Sequence, residues 1–156
     1  MSSFSLPRSA VPAHLRLTQG DVQAGEVYVM ARVSQHVGPE TPLEMLNRAE
    51  GFFPFQPAEN GGVLLISKAQ TVSLSIAESH LLHDAARLSA AKRMAVEVTL
   101  TDGSALSGWA EVELPDHHAR LLDYLNATPE AFFAVTAADG THFINRAHVL
   151  YARPKD

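Results

Sequence analysis

The chain has 156 residues, of which 46% are hydrophobic and 19% are charged, and its formal net charge is −5. This composition is typical of a globular protein and excludes an intrinsically disordered chain. The acidic balance argues against general nucleic-acid binding, which needs Lys and Arg to neutralise phosphates. The absence of cysteine excludes disulfides, thiolate nucleophiles and Cys-based zinc sites.

Targeting and membrane signals are missing from the sequence. The apolar runs are only a few residues long, far below the roughly 20 that a membrane-spanning helix needs. The opening segment MSSFSLPRSAVPAH lacks the continuous apolar core of a secretory signal. We therefore predict a cytoplasmic protein that does not bind membranes.

The sequence carries two similar copies of one pattern. Four blocks recur in the same order, with small changes in spacing: LTQGDVQAG (17–25) and LTDGSALSG (100–108), LEMLN (43–47) and LDYLN (122–126), Phe52-Phe53 and Phe132-Phe133, and LISKAQTV (65–72) and FINRAHVL (143–150). A repeat of this length is a domain-sized unit. We predict an internal duplication with an N-terminal arm at 1–13, a first repeat at 14–76, a connecting helix at 77–93 and a second repeat at 94–153.

Each copy predicts the same succession of elements. Alternating apolar residues flank a turn at Gly20 in the first copy and at Gly103 in the second, which indicates a β-hairpin. A short helix follows, with Thr41 as the predicted N-cap in the first copy and Asp116 near the cap in the second. Two more strands joined by the turns ENGG and AADG come next, and the final strands are TVSLSI and VLYAR.

The pattern of each copy resembles the Sm-like small β-barrel, a member of the SH3-like barrels. The resemblance rests on LRLTQGDVQAGEVYV and VEVTLTDGSALSGWAEV for the first motif, and on LISKAQTVSLS and FINRAHVLYA for the second. It implies a mainly β fold with short helices, built as two tandem barrels, and an RNA- or nucleotide-binding surface. The helical insert departs from the family pattern where that surface would form. The Leu-Asn and Phe-Phe pairs in both copies also resemble a set of uncharacterised bacterial proteins, and no activity comes with that resemblance.

Catalytic and metal-binding constellations are weak. His80 and His83 lie three residues apart with Asp84 adjacent, so one helix face could hold a metal; a polar helix face explains the same pattern. No Gly-x-Ser-x-Gly motif is present. We predict no catalytic residues, no metal and no cofactor, and favour a protein that is not an enzyme.

Aromatic and polar residues at matched positions have two interpretations. The paired Phe residues and Trp109 could stack on bases, but core packing explains them better. Because neighbours in a strand face opposite sides, one Phe of each pair could be buried and the other exposed. We predict a core of Val96, Val98, Leu100, Leu122, Leu125, Phe143 and Ile144. The candidate ligand-binding residues are Arg146, Asn145, Lys68 and Asn126; for the repeated Asn47 and Asn126, helix capping is the alternative.

These observations favour a protein-interaction or assembly module, with a protein partner or a second copy of the chain. Exposed strand edges recruit partners by pairing with their strands. TVSLSI carries no Lys, Arg, Pro or acidic residue, so it is the predicted pairing edge unless the second copy covers it. RNA or nucleotide binding through an Sm-like surface is the alternative, and the net charge disfavours it.

Overall fold

The fold was analysed in a computed structural model of the chain, which describes residues 8–31, 38–59, 61–77, 92–112, 121–127 and 130–155. Within these residues the first group of elements is β1 (Arg8–Leu17), β2 (Gln23–Met30), α1 (Pro42–Leu46), β3 (Phe52–Pro57), β4 (Leu64–Ser67) and β5 (Thr71–Ile76). The second group is β6 (Lys92–Leu100), β7 (Ala105–Val112), α2 (Leu121–Ala127), β8 (Phe132–Ala137), β9 (Gly140–Asn145) and β10 (Val149–Pro154). The predicted mainly β fold with short helices is confirmed.

The ten strands of the described residues form one antiparallel sheet in the order β10-β6-β7-β8-β9-β5-β1-β2-β3-β4. Strands β1 to β5 are therefore arranged as β5-β1-β2-β3-β4, and β6 to β10 as β10-β6-β7-β8-β9. The last strand of the first group, β5, pairs with the fourth strand of the second group, β9. The sheet is continuous and open, with β4 at one end and β10 at the other.

Local sequence explains the turns. Gly20 and Gly103 both have positive φ, at 87° and 89°, which glycine adopts without the steric cost of a side chain. They lie in the connections β1–β2 and β6–β7, as their matched motifs predict. Gly25 and Gly108 allow a close approach of strands, since a Cβ on either one would collide with the backbone oxygen of Gln56 or Thr136.

The first helix has the predicted start. The Thr41 hydroxyl accepts from the backbone N–H of Glu44 at 3.1 Å, and the Glu44 carboxylate accepts from the N–H of Thr41 at 2.8 Å. This reciprocal capping box, with Pro42 in the first turn, satisfies N–H groups that the helix leaves unpaired. Asn47 is the C-cap, as predicted. The Asp116 cap predicted for the second helix lies outside the described residues.

Two clusters of buried side chains form the core. The first core lies over β1 to β5 and α1, and it also contains Phe132 and Phe143 from the second strand group. The second core lies over β6, β7, β8 and β9, and it contains Val72 from β5. Where β5 meets β9, each strand group thus places apolar side chains in the core of the other.

The predicted core is largely right, with one error. Five of the seven predicted residues are buried: Val96, Val98, Leu100, Phe143 and Ile144. Leu125 is half-buried against the second core. Leu122 is exposed, because α2 presents Leu121 to the core and adjacent helix residues point about 100° apart.

The structure bears on three sequence expectations about boundaries and edges. Strand β1 begins at Arg8 and pairs with β2 from that residue, inside the segment predicted as an arm. The predicted connecting helix falls largely outside the described residues, and Lys92 already belongs to β6. TVSLSI is not an open edge: it is β5, and it lies between β1 and β9.

Candidate functional site

The contact between the two strand groups, which we call the joint, consists of β5, β9 and the side chains that cross between them. Its register places Leu74 opposite Phe143 and Ser75 opposite His142. At the ends of the joint, the Arg16 guanidinium forms an ion pair with Asp102 at 3.0 Å, and a ring nitrogen of His148 lies 2.7 Å from the oxygen of Ala69. Backbone pairing, apolar exchange and polar contacts together fix the two groups against each other.

Lys68 begins the 3₁₀ turn Lys68–Gln70 between β4 and β5, and its side chain has a structural role. Its ammonium donates hydrogen bonds to the oxygens of Met45 and Arg48, both at 3.0 Å, at the end of α1. Burial lowers the pKa of Lys68 below its ordinary value, while the negative charges of Glu50 and Glu40 act in the opposite direction. The two carbonyls account for the need for a cation here.

Arg146 occupies the corresponding 3₁₀ turn, Arg146–His148, between β9 and β10. Its guanidinium donates to the oxygen of Leu125 in α2 and to the oxygen of Glu130 at 3.1 Å. Cations near the last carbonyls of a helix are favourable because those carbonyls carry partial negative charge. The matched Lys68 and Arg146 therefore fix each short helix to the turn beside it.

The two candidate asparagines differ in their surroundings. Asn145 is buried in the joint, where its Nδ2 donates to the oxygens of Thr71 and Lys68 at 3.0 and 3.2 Å. Its Oδ1 accepts from the N–H of Ala147 at 3.0 Å. Asn126 lies on α2 and is exposed. The structure thus brings Asn145 close to Lys68, and places Arg146 and Asn126 at the other helix; ligand binding by these four residues stays a prediction.

Asn47 is the functional residue of the joint that sequence reasoning explained only as a helix cap. Its Nδ2 donates to the oxygen of Phe132 at 3.1 Å, and its Oδ1 accepts from the N–H of Phe132 at 2.9 Å. The side-chain amide therefore pairs with the first residue of β8 as a strand backbone would. The matched Asn126 in the second copy was a sequence signal that this position matters. Matching the two copies in sequence could not show, however, that Asn47 contacts Phe132 of the other copy.

A cavity of about 220 Å³ is lined by residues of β1, β2, α1 and β3 and of the segments that follow α1 and β4. Beside it, the Nε of Arg48 lies 3.0 Å from an oxygen of the buried Glu40 carboxylate and forms an ion pair with it. Glu40 also accepts from the N–H of Met30 at 3.0 Å. The lining combines exposed Phe52 with the cations Arg8, Arg48 and Lys68 and the carboxylate Glu50. Two of the three N–H donors of Lys68 already bond to backbone oxygens.

The paired phenylalanines show a contrast between the two groups. Phe53 is buried and Phe52 is 63% exposed, as strand alternation predicts, but Phe132 and Phe133 are both buried. The prediction of one exposed Phe per pair is wrong for the second pair, because Phe132 enters the first core across the joint. Phe132 is only 1% exposed, although it matches Phe52 in the repeat.

The same contrast recurs along the outer strands. Leu65 in β4 is 73% exposed, whereas the matched Phe143 in β9 is completely buried. Leu150 in β10 is 60% exposed, whereas the matched Val72 in β5 is 1% exposed. Large apolar side chains are also exposed at Val63, Leu64, Leu122 and Tyr151. Positions buried at the joint are therefore open at both ends of the sheet.

At both ends of the sheet, some backbone N–H and C=O groups of the last strand point outward, away from the neighbouring strand. Lys68 donates its N–H to the oxygen of Gly51 in the β3–β4 ladder, and alternate residues of an antiparallel strand face opposite neighbours. The N–H and C=O of Leu65 therefore point away from β3. Lys155 donates to Ala95 in the β10–β6 ladder, so the same argument directs Ala152 away from β6. No further strand pairs with β4 or β10 in the described parts of the chain.

The histidines do not form a metal site in the residues that the structure describes, where no group of three or more His, Asp or Glu side chains could hold an ion. His142 pairs with Asp139 at 2.9 Å, and this hydrogen bond lowers the pKa of that carboxyl. His80, His83 and Asp84 lie outside the described residues, as do His117 and His118. The metal hypothesis for His80, His83 and Asp84 therefore stays a prediction.

Neither described helix has the length and apolar character to cross a membrane. No protein-family model, curated protein or solved structure matches this chain.

Proposed function

We propose that this chain is a protein-interaction or assembly module, rather than an enzyme, and that it binds protein through the two ends of its sheet. The single observation that carries the proposal is the exposure of Leu65 and Leu150 at positions whose counterparts, Phe143 and Val72, are buried in the joint. Exposed apolar side chains beside unpaired strand backbone mark a contact surface.

The two ends of the sheet offer similar surfaces. We define the β4 edge as Phe52 and residues 63–66, and the β10 edge as Leu122, Asn126 and residues 149–154. At each edge a strand offers outward backbone groups, from Leu65 and Ala152, between exposed apolar side chains. A strand of a partner gains main-chain hydrogen bonds and apolar burial by pairing there, which is the usual chemistry of strand addition.

We also propose that the two strand groups are two copies of one small Sm-like or SH3-like barrel unit. Equal strand order, matched turn glycines and the matched cations Lys68 and Arg146 support this origin. A duplicated unit that joins its own copy through β5 and β9 has the surfaces for a further contact of the same kind at its two ends.

We prefer assembly to RNA or nucleotide binding for two reasons. The cations expected on a nucleotide-binding face, Lys68 and Arg146, donate to backbone carbonyls at and just after the two helices. The net charge of −5 opposes phosphate contacts in general. The exposed residues of the two edges are mainly apolar, with Arg153 as the only exposed cation among them in the described residues, which suits contact with protein.

In-cell photo-crosslinking tests the proposed function. A photoreactive phenylalanine analogue is placed at Leu65, at Tyr151 or, as a control, at Ser107, which is exposed on the interior strand β7. We expect discrete adducts from Leu65 and Tyr151 but not from Ser107, with the partner identified by mass. Absence of an adduct at both edges, or equal adducts from Ser107, would contradict the proposal.

A further inference from the structure

We infer that the occupant of the β4 edge is the β10 edge of a second copy of this chain, joined head to tail. This inference rests on the proposed function and names its partner. The joint within the chain supplies the template, because it shows how the outer strand of one group pairs with the fourth strand of the other. The matching strands at the two ends of the sheet are β10 and β4, and each pairs with only one neighbour among the described strands.

The template predicts a register between copies. The blocks 65–72 and 143–150 match with a shift of 78 (143 − 65), and the two 3₁₀ turns keep the same shift (146 − 68). Applied to the pairs Leu74–Phe143 and Ser75–His142, this shift places Ala152 opposite Leu65 and Arg153 opposite Leu64 of the next copy.

Backbone directions agree with this register. The backbone N–H and C=O groups that point outward at the two edges belong to Leu65 and Ala152. This follows from the hydrogen bonds that Lys68 and Lys155 donate to the neighbouring strands. Leu65 and Ala152 are direct partners in the predicted register, so each can exchange both hydrogen bonds with the other. Pro154 has no N–H, and the contact between copies therefore has one donor fewer than the joint.

Side-chain exposure agrees as well. In the joint, Phe132 and Phe143 enter the core of the neighbouring group. Their counterparts Phe52 and Leu65 are exposed, and the template directs them towards the second core of the next copy. That core borders the β10 edge, where Ala152 and Leu125 pack against it and are only partly buried.

Asn126 gains a role in this arrangement. Asn47 pairs its side-chain amide with the backbone of Phe132 across the joint. Its counterpart Asn126 is exposed, and the residue matching Phe132 is Phe52. The template therefore assigns Asn126 to the backbone of Phe52 in the next copy.

A head-to-tail contact uses different surfaces on its two sides, so it continues from copy to copy. Such contacts close into a ring where the rotation per copy allows it, and otherwise extend as a filament. Ala152 and Leu65 lie at opposite ends of the sheet of one chain, and a bond between these ends therefore reports a contact between chains.

Engineered disulfides in the purified full chain test the register, and the natural sequence has no cysteine to interfere. The variant Leu64→Cys with Arg153→Cys should oxidise to chains linked through successive copies. The matched pair Ser75→Cys with His142→Cys has the same position in the joint and should close within one chain. In the control, Leu65→Cys with Arg153→Cys, the cysteine of β4 is one residue further along the strand. Its thiol therefore lies on the opposite face of the strand from the thiol at position 153.

Linked chains from the first variant, with much weaker linkage from the shifted control, support the inference. Linkage that is equal in both, or absent while the joint variant closes, overturns it. The separate photo-crosslinking result then distinguishes the two proposals: an edge adduct with a different protein retains the proposed function and rejects self-assembly. Absence of every adduct rejects both.

Discussion

The side-chain amide of Asn47 pairs with the backbone of Phe132 in both directions, donating to its oxygen at 3.1 Å and accepting from its N–H at 2.9 Å. The two residues lie in different strand groups, and the amide continues the hydrogen bonding of the joint beyond β5 and β9. The Phe132 ring, nearly fully buried, fills the core beneath. Asn47 thus fixes the backbone of Phe132 by hydrogen bonds, and the Phe132 ring fills the core at the same place.

Replacing this amide should destabilise the fold. Asn47→Ala leaves the N–H and C=O of Phe132 without the side-chain partner, which costs roughly 1–3 kcal/mol for a buried donor. Chemical denaturation of the purified protein measures the loss. Asn126→Ala is the matched control at an exposed position of α2, and we expect it to change the unfolding free energy of the monomer by less than about 0.5 kcal/mol. An unfolding free energy that is unchanged by Asn47→Ala would show that the joint does not depend on Asn47.

The matched phenylalanines should separate folding from assembly. Phe132→Ala removes a buried ring from the first core and should cost about 3–5 kcal/mol of unfolding free energy. Phe52→Ala changes an exposed side chain and should cost under about 1 kcal/mol in the monomer, yet weaken association of the chain with itself. Thermal denaturation and sedimentation velocity measure the two effects. A strong loss of stability from Phe52→Ala without a change in association would contradict this assignment.

The close approach of β2 to β3 depends on Gly25. An added Cβ would meet the backbone oxygen of Gln56 and the ring of Phe55, so Gly25→Ala should destabilise the protein by roughly 1–3 kcal/mol through overpacking. Gly51→Ala is a suitable control, because a Cβ there meets nothing within 4 Å and the backbone has no positive φ. A differential denaturation experiment should find the control nearly unchanged. Similar melting temperatures for the two variants would argue against the close strand approach.

Much of the fold follows from local sequence signals. Turn glycines, strand alternation and the Thr41 cap predicted hairpins and the first helix, because each depends on residues close together in the chain. The duplicated motifs also anticipated corresponding turns at Gly20 and Gly103. These features need no knowledge of the neighbouring strand group.

The joint could not be predicted in the same way. TVSLSI has the composition of an exposed edge, but it is covered by β9, and Phe132 is buried in a core that belongs mainly to the other strand group. Both facts depend on long-range pairing, which the local pattern does not encode. Lys68 and Arg146 were predicted as ligand-binding residues for the same reason, since their carbonyl partners are more than a dozen residues away.

Acid should weaken the polar end of the joint. Hydrogen bonds from the Ser104 hydroxyl and backbone hold the pKa of Asp102 below its ordinary value, and the charge of Arg16 adds to this effect. A lowered carboxyl pKa contributes stability that is present above the unfolded-state value, near pH 4, and is lost as pH falls through the folded-state value.

Asp102→Asn therefore should reduce stability slightly near neutral pH, by less than about 1 kcal/mol because the pair is half-exposed. The difference from the natural chain should shrink as Asp102 becomes protonated below about pH 4. Urea unfolding at several pH values measures this, with Asp139→Asn as a variant outside the Arg16 contact. A difference that persists unchanged at the lowest pH would contradict the electrostatic explanation.

Native mass spectrometry of two edge variants tests head-to-tail assembly most directly. Leu65→Glu places a charge on the β4 edge and Leu150→Glu places one on the β10 edge, while circular dichroism checks that both variants fold. Each variant alone should be a monomer, because every contact between copies needs one edge of each kind. An equimolar mixture should form a dimer of one chain of each variant, through the single intact pair of edges, and should not grow further. A natural chain that stays monomeric at micromolar concentrations, or edge variants that form dimers on their own, would contradict the account.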